Sequence, residues 1–228
     1  MPAFKQDLFI DFMIENKVLG FYQKAITLKS GRASRWYVNW RGPTSDVFLI
    51  DQVTDFILAF CADKNLKPDL FYGVPEGGTK LGLLASYKLA KASKHFAKGS
   101  HIFSLGRAVA KEHGDPKDRY FIGEPKGKVI LLEDVTTTGS SLLQSIDKLQ
   151  SAGCEIIAAL ALSNRAQLRN DGSTVAESLQ QKGVPYFALS SAQDFLPRAI
   201  DALNPSDEVI ESIQTEFDEY GEKALKLF

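Results

Sequence analysis

Two cysteines, two methionines, two tryptophans and three histidines are all that this chain of 228 residues holds of those types. Cys61 and Cys154 both sit among apolar neighbours. They are too few for a disulfide framework or a cysteine-rich zinc site, and read as small core residues in a reducing compartment. Charge of one sign is also lacking: 27 Lys and Arg face 28 Asp and Glu, a net charge of -1. That balance excludes a broad electrostatic footprint for nucleic acid. No apolar run reaches membrane-spanning length, because Lys, Asp, Gln or Glu interrupts each one. The segment Met1 to Asp7 carries an early acid and no signal-peptide core. These absences imply a soluble cytoplasmic protein with neither nucleic acid nor membrane as partner. A hydrophobic content of 44% is enough for one sizeable core, and no linker, repeat or low-complexity segment divides the chain. A single domain over residues 1–228 is expected.

The pattern of elements predicts an α/β fold. Residues 5–19 place Leu8, Phe9, Phe12, Met13 and Leu19 near one helical face, with Gly20 as the stop. Short strands are predicted on either side of the polar turn Lys29-Ser30-Gly31-Arg32, and a helix capped at Thr44-Ser45-Asp46 follows. Strand and helix then alternate: strands at 70–74, 102–105, 129–132, 156–162 and 186–189, helices at 81–92, 142–152 and 173–182. Two more helices, around 194–203 and 207–226, end the chain. Such alternation implies a mostly parallel sheet flanked by helices on both faces. Ligands of such sheets bind beyond the carboxyl ends of the strands.

The chemistry concentrates in Val129 to Ser141, read as a buried strand, two acids and a loop of small hydroxyl residues opening a helix. Ionised Glu133 and Asp134 only accept hydrogen bonds, which suits the paired hydroxyls of a sugar. Successive strand residues point to opposite faces, so the two acids can share a ligand only if the strand ends there. Backbone N–H groups of Thr137, Thr138, Gly139, Ser140 and Ser141, with the helix dipole behind them, suit a monophosphate. Gly139 allows close approach. Sugar phosphate fits this set better than a metal, a lipid or a duplex; the bland alternative is a capped helix with solvated acids.

Other segments are weaker. Gly73 to Lys80 nearly matches the triphosphate-binding loop, but Thr79 precedes Lys80, which misplaces both the cation and the magnesium-binding hydroxyl. The polar stretch 107–119 carries Arg107, Lys111 and His113 and could close over an anionic leaving group, or be a solvated loop. His95 and His101 show no partner pattern. Trp36 and Tyr37 offer rings for a planar ligand, or the inner side of a half-buried strand. Arg165 ends an apolar run where a sheet-edge ligand would lie, and suits either a carboxylate or an ordinary ion pair.

Taken together these segments resemble the type I phosphoribosyltransferases, and the orotate phosphoribosyltransferase family in particular. Val129 to Ser141 looks like the family's phosphoribosyl pyrophosphate motif. Thr27 to Arg32, Phe71 to Gly78, Arg107 to Gly114 and Asn164-Arg165 follow in the family's order. The resemblance implies a small N-terminal hood, formed by residues 1–42, over the base site. It implies that orotate attacks C1 of phosphoribosyl pyrophosphate, giving orotidine 5′-monophosphate in de novo pyrimidine biosynthesis, with Mg²⁺ bound mainly through the departing pyrophosphate and no metal site of the protein's own. Carried over, Glu133 and Asp134 meet the ribose and Thr137 to Ser141 the 5′-phosphate, while Lys29 lies near both pyrophosphate and orotate. Trp36, Tyr37, Thr137 and Arg165 hold orotate, and Arg107, Lys111, His113 and Asp134 serve catalysis. A homodimer sharing loop 107–119 across its interface is implied as well.

The chain departs from the family at three places. Ala108 stands where a second loop cation is usual, Gly77 where a lysine for pyrophosphate is usual, and Arg35 where proline is common. Whether Lys80, three residues on, reaches the site stays open. A phosphoribosyltransferase for another planar base, and a sensor that binds the sugar phosphate without catalysis, are the alternatives. The three retained loop cations favour catalysis, since a sensor has no need of a leaving-group lid.

Overall fold

The apolar stretch around Val129 forms a strand buried on both faces, and the other elements assemble on it. A computed structural model of the chain describes residues 3–107, 109, 111, 113 and 119–227. The elements in order are α1 (Gln6–Glu15), β1 (Leu19–Thr27), β2 (Ala33–Val38), α2 (Val47–Asp63), β3 (Leu70–Gly73), α3 (Thr79–Ala92), β4 (Leu105–Gly106), β5 (Phe121–Ile122), β6 (Lys128–Thr136), α4 (Ser140–Ser151), β7 (Glu155–Asn164), α5 (Val175–Gln180), β8 (Tyr186–Ser191), α6 (Ala192–Leu203) and α7 (Asp207–Tyr220). Four strands in the order β3-β6-β7-β8 make a parallel sheet. Alternate residues of its strands feed two separate cores, as a period of two requires. Ile130, Leu132 and Leu160 pack with residues of α1, α2, α3 and α6. Val129, Leu131 and Ala159 pack with α4 and α5 on the other face. This is the α/β arrangement expected, a parallel sheet covered on both sides.

The N-terminal hairpin β1–β2 is antiparallel, with an irregularity between Phe21 and Ile26. It is held to the body at α7, where Trp36 stacks on Phe217 and Arg35 pairs with Glu208 (2.8 Å). Asp46 caps α2 by accepting from the Leu49 N–H (2.9 Å), one of the three caps expected there. Among the described residues no helix is long and apolar enough to cross a membrane.

Several boundaries differ from expectation. The first helix stops at Glu15, not Gly20: the Asn16 side chain takes the Phe12 carbonyl, Lys17 adopts a left-handed conformation (φ 55°), and Leu19 and Gly20 belong to β1. The predicted strand 102–105 shrinks to the two residues of β4, which pair with β5 and not with the main sheet. Ile102 and Phe103 are exposed there, so their apolar character marked no buried strand. The last helix ends at Tyr220, six residues short of the expected limit. Most consequential, β6 does not stop at Leu132. Its pairing with β7 continues through Glu133↔Ala161 to Thr136↔Asn164, because backbone pairing is indifferent to side-chain charge and Val135 and Thr136 are good strand formers.

Leu131 is fully buried at the centre of the second core. Leu131→Ala should lower unfolding free energy by about 2–5 kcal/mol through lost burial and the cavity left behind, read from the midpoint of urea denaturation at unchanged slope.

Candidate active site

β3 ends at Gly73, opposite Leu132, while β6 runs on beside β7 for four more residues. The step between them opens a cleft of about 850 Å³ at the carboxyl ends of the strands, within the usual range for small-molecule sites. It also answers how two consecutive acids can line one cleft although the strand does not end at them. With β3 gone, the cleft wraps the open edge of β6, and both Glu133 and Asp134 line it. The turn after β3 lies directly on Asp134: a Cβ added to Gly77 would come within 2.3 Å of its Oδ2. A side chain at that position would have to displace the Asp134 carboxylate.

Glu133 is 7% exposed. Burial, then the negative charge of Asp134 and a hydrogen bond to it, raise the Glu133 carboxyl to about 9, with Lys29 opposing. Before a ligand arrives, this acid pair therefore holds a proton at neutral pH.

Beyond β6 the chain passes through Thr137 and Thr138 into Gly139, which adopts φ 67° and stands 2.9 Å (from an added Cβ) off Val175. α4 starts immediately after. Its first helical bond runs from the Leu143 N–H to the Gly139 carbonyl (3.0 Å), so the amides ahead of it have no partner within the helix. Thr138 and Ser140 hydroxyls bond each other at 3.0 Å. Lys29 reaches down from the hairpin turn to Ser141 Oγ (3.3 Å), closing the cleft over the helix end. All five residues from Thr137 to Ser141 line the cleft together with the two acids, and a helix start of this kind suits an anion.

The base end behaves differently from expectation. β2 alternates so that Tyr37 lines the cleft while Trp36 points into the core, 1% exposed, against Phe195 and Phe217. Trp36 therefore offers no face to a ligand, and the paired-ring reading is corrected to Tyr37 alone on β2. Trp40 lines the cleft instead, its Nε1 donating to Ser163 Oγ (3.1 Å). Arg32 of the basic turn is also structural. It donates to the Leu168 carbonyl (2.7 Å) and stacks over Tyr220. Arg165 lines the cleft but is already paired with Glu216 at 2.8 Å, so the ligand and ion-pair readings of this residue are not exclusive.

Sequence reasoning missed Arg41 and Arg169, both of which line the cleft, and left Lys80 open. Lys80, in the first turn of α3, does line the cleft, with its Nζ 3.1 Å from Ser45 Oγ. Its neighbours explain why Gly73 to Lys80 is no triphosphate loop: an added Cβ on Gly73 would lie 2.0 Å from the Gly78 carbonyl, so the turn is folded on itself. Arg169 lines the opposite wall and donates to the Thr138 carbonyl. Nothing local in the sequence marks Arg169, whereas Lys80 carried a signal as the first cation after a glycine turn at a sheet edge. Arg107, Lys111 and His113 are not among the residues lining the cleft of their own chain. The Arg107 N–H donates to Tyr120 and the Lys111 N–H to Arg119 (2.9 and 2.8 Å). Ala108, Ala110, Glu112 and residues 114–118 of the expected lid lie outside the described residues.

The sheet order, the hairpin above it and the acid-then-hydroxyl turn are those of a type I phosphoribosyltransferase. The crystal structure of orotate phosphoribosyltransferase from Francisella tularensis superposes with a TM-score of 0.68 over 94% of this chain and 99% of that one, at 23% identity. No protein-family model matches the chain. Among curated relatives, the orotate phosphoribosyltransferase of Polynucleobacter asymbioticus is 30% identical over 163 residues, 71% of this chain and 69% of that one. That of Chromobacterium violaceum is 29% identical over 198 residues, 86% and 87% of the two chains. The chain belongs to the orotate phosphoribosyltransferase family.

Because the Glu133 carboxyl titrates near 9 in the folded chain against 4.5 ordinarily, folding favours its protonated form. That contribution to stability is complete below pH 4.5 and is lost as pH rises to about 9. The thermal midpoint of the ligand-free protein should fall between pH 5 and 9 less steeply in Glu133→Gln than in the wild type. Equal slopes would mean that the acid is ionised throughout.

Proposed function

We propose that this chain transfers the phosphoribosyl group of phosphoribosyl pyrophosphate to orotate, forming orotidine 5′-monophosphate and pyrophosphate in pyrimidine biosynthesis. The observation that carries the reading is the meeting, in one cleft, of the Glu133–Asp134 pair with the Thr137–Ser141 helix start. Their spacing suits one molecule bearing both vicinal hydroxyls and a terminal phosphate. Asp134 and Glu133 accept from the ribose hydroxyls; Thr137, Thr138, Gly139, Ser140 and Ser141 hold the 5′-phosphate by backbone amides and hydroxyls. Orotate lies between Tyr37 and Arg165, with Lys29 and Thr137 at its edge. As the bond from C1 to pyrophosphate breaks, its electron pair leaves on the pyrophosphate, and a ring nitrogen of orotate forms the new bond to C1 and gives up its proton, which the departing pyrophosphate can accept. The protein's task is then to align the two reactants and to meet the leaving charge.

Mg²⁺ belongs to this proposal through the substrate. Among the described residues no group of three or more His, Cys, Asp or Glu could hold a metal ion. Mg²⁺ would be held mainly through the pyrophosphate of the substrate and by water, which this ion commonly keeps. When bound it would neutralise developing charge on the leaving group. Arg107, Lys111 and His113 are assigned to the cleft of a second subunit, in a homodimer that shares loop 107–119. Their absence from the lining of their own chain's cleft supports this. So do Val47 and Phe48 at the start of α2, large apolar side chains 83% and 70% exposed. Residues 1–42 act as the hood of a single domain, and a soluble cytoplasmic enzyme is the corresponding setting.

Ultraviolet absorbance of orotate, followed with phosphoribosyl pyrophosphate and Mg²⁺ each omitted in turn, tests the activity. Signal loss that needs all three, with pyrophosphate released, is the expected result. Binding of the sugar substrate without turnover would move the assignment to another base or to a sensor. In the same assay Lys111→Ala should lower kcat on the order of 10²-fold while leaving KM for the sugar substrate nearly unchanged. Parallel losses in both would remove the lid role. Asp134→Asn should weaken phosphoribosyl pyrophosphate binding by about tenfold, read by calorimetry, and unaltered affinity would take this acid out of the ribose site.

A further inference from the structure

Arg165 is the most heavily committed side chain of the cleft. It follows β7, is 2% exposed, and its guanidinium lies 3.5 Å from the centre of the Trp36 ring. Its NH2 donates to Glu216 Oε1 (2.8 Å) and to Ser34 Oγ (2.9 Å), which uses both protons of that nitrogen. NH1 makes one long bond, 3.4 Å, to the Trp36 carbonyl, and Nε–H has no partner. One edge of the fork is thus held and the donors on the NH1 and Nε side are not fully used.

The holding group is Glu216, from α7. Its Oε1 also accepts from Gln167 Nε2 (2.5 Å), and its Oε2 accepts from Ser34 Oγ (2.8 Å) and Trp36 Nε1 (3.1 Å). Four donors thus converge on this buried carboxyl group. The pair places no net charge at this end of the cleft. A buried ion pair adds little net stability compared with apolar residues of the same size. Here it bonds the C-terminal helix, the hairpin and the end of β7 to one guanidinium that lines the cleft.

We propose that Glu216 is a positioning residue for base recognition. It fixes Arg165, through NH2, Ser34 and the Trp36 ring, so that the base meets directed N–H donors instead of a mobile net charge. Affinity for an anionic base is then set from α7, independently of the sugar-phosphate end of the cleft. The inference rests on the proposed function, in which Arg165 faces orotate.

The test compares wild type, Glu216→Gln, Glu216→Asp and Ser34→Ala, varying orotate and phosphoribosyl pyrophosphate separately in the rate assay. Glu216→Gln is expected to raise KM for orotate about tenfold or more, with KM for the sugar substrate changed less than about twofold and with partial recovery in Glu216→Asp. If Glu216→Gln does not fold, Ser34→Ala decides, since it keeps the direct ion pair and removes only the hydroxyl that accepts from Arg165 and donates to Glu216; a smaller rise confined to orotate is expected. A lower melting temperature with both KM values unchanged, or both raised alike, would overturn the proposal and leave the pair as a structural strut. Should the wild type not turn over orotate, the function falls first. Calorimetric titration with orotate then decides: binding weakened in Ser34→Ala upholds the positioning role, and no binding to the wild type overturns it.

Discussion

Backbone pairing between β6 and β7 outlasts the pairing between β6 and β3 by four residues, and the cleft depends on that inequality. Parallel strands of equal length would bury Glu133 and Asp134 under a neighbour or divide them between two faces. Because β3 stops at Gly73, the edge of β6 is open on one side and supported on the other. Both acids line the cleft, Glu133 buried and Asp134 half-buried. The same strand delivers the chain into Gly139 and α4, so the carboxylates and the helix start are placed by one continuous segment, with no flexible joint between them.

The hood depends on a second constraint, the burial of charge. Arg32 and Arg165 are both nearly inaccessible, and each is matched by acceptors from distant parts of the chain: Leu168 for the first, Glu216 and Ser34 for the second. Leaving either charge without those acceptors would be strongly unfavourable, so hairpin and C-terminal helix must dock together. Besides Arg165, cations on the cleft wall come from four separate places: Lys29 from the hairpin turn, Arg41 from the segment before α2, Lys80 from α3 and Arg169 from the loop after β7. Positive charge thus enters the cleft from elsewhere than Gly77, whose place against Asp134 would force that carboxylate to move if a side chain were added.

Much of the architecture was legible in the residues. Alternation of strands and helices from Leu70 onward, the N-cap at Asp46 and the glycine-ended helices rest on local preferences, which act whatever the rest of the chain does. The errors share a cause as well. Leu19 and Gly20 read as helix until the hairpin claims them by pairing, and Ile102 and Phe103 read as strand although no sheet receives them. Glu133 read as a strand end because charge usually marks one. The pairing of β7 overrode that preference.

At the site, the sequence by itself determined the chemistry of Val129 to Ser141. An apolar strand, two acids and a hydroxyl loop entering a helix lie within thirteen consecutive residues, where chain connectivity alone keeps them together. Only the tertiary structure decided which face of β2 lines the cleft, giving Tyr37 to the cleft and Trp36 to the core. It alone brought Glu216 to Arg165 across 51 positions, and Lys80 and Arg169 to opposite walls. Contacts at such separation are selected by the packing of whole elements and by the need to satisfy buried charge, and no local preference encodes them.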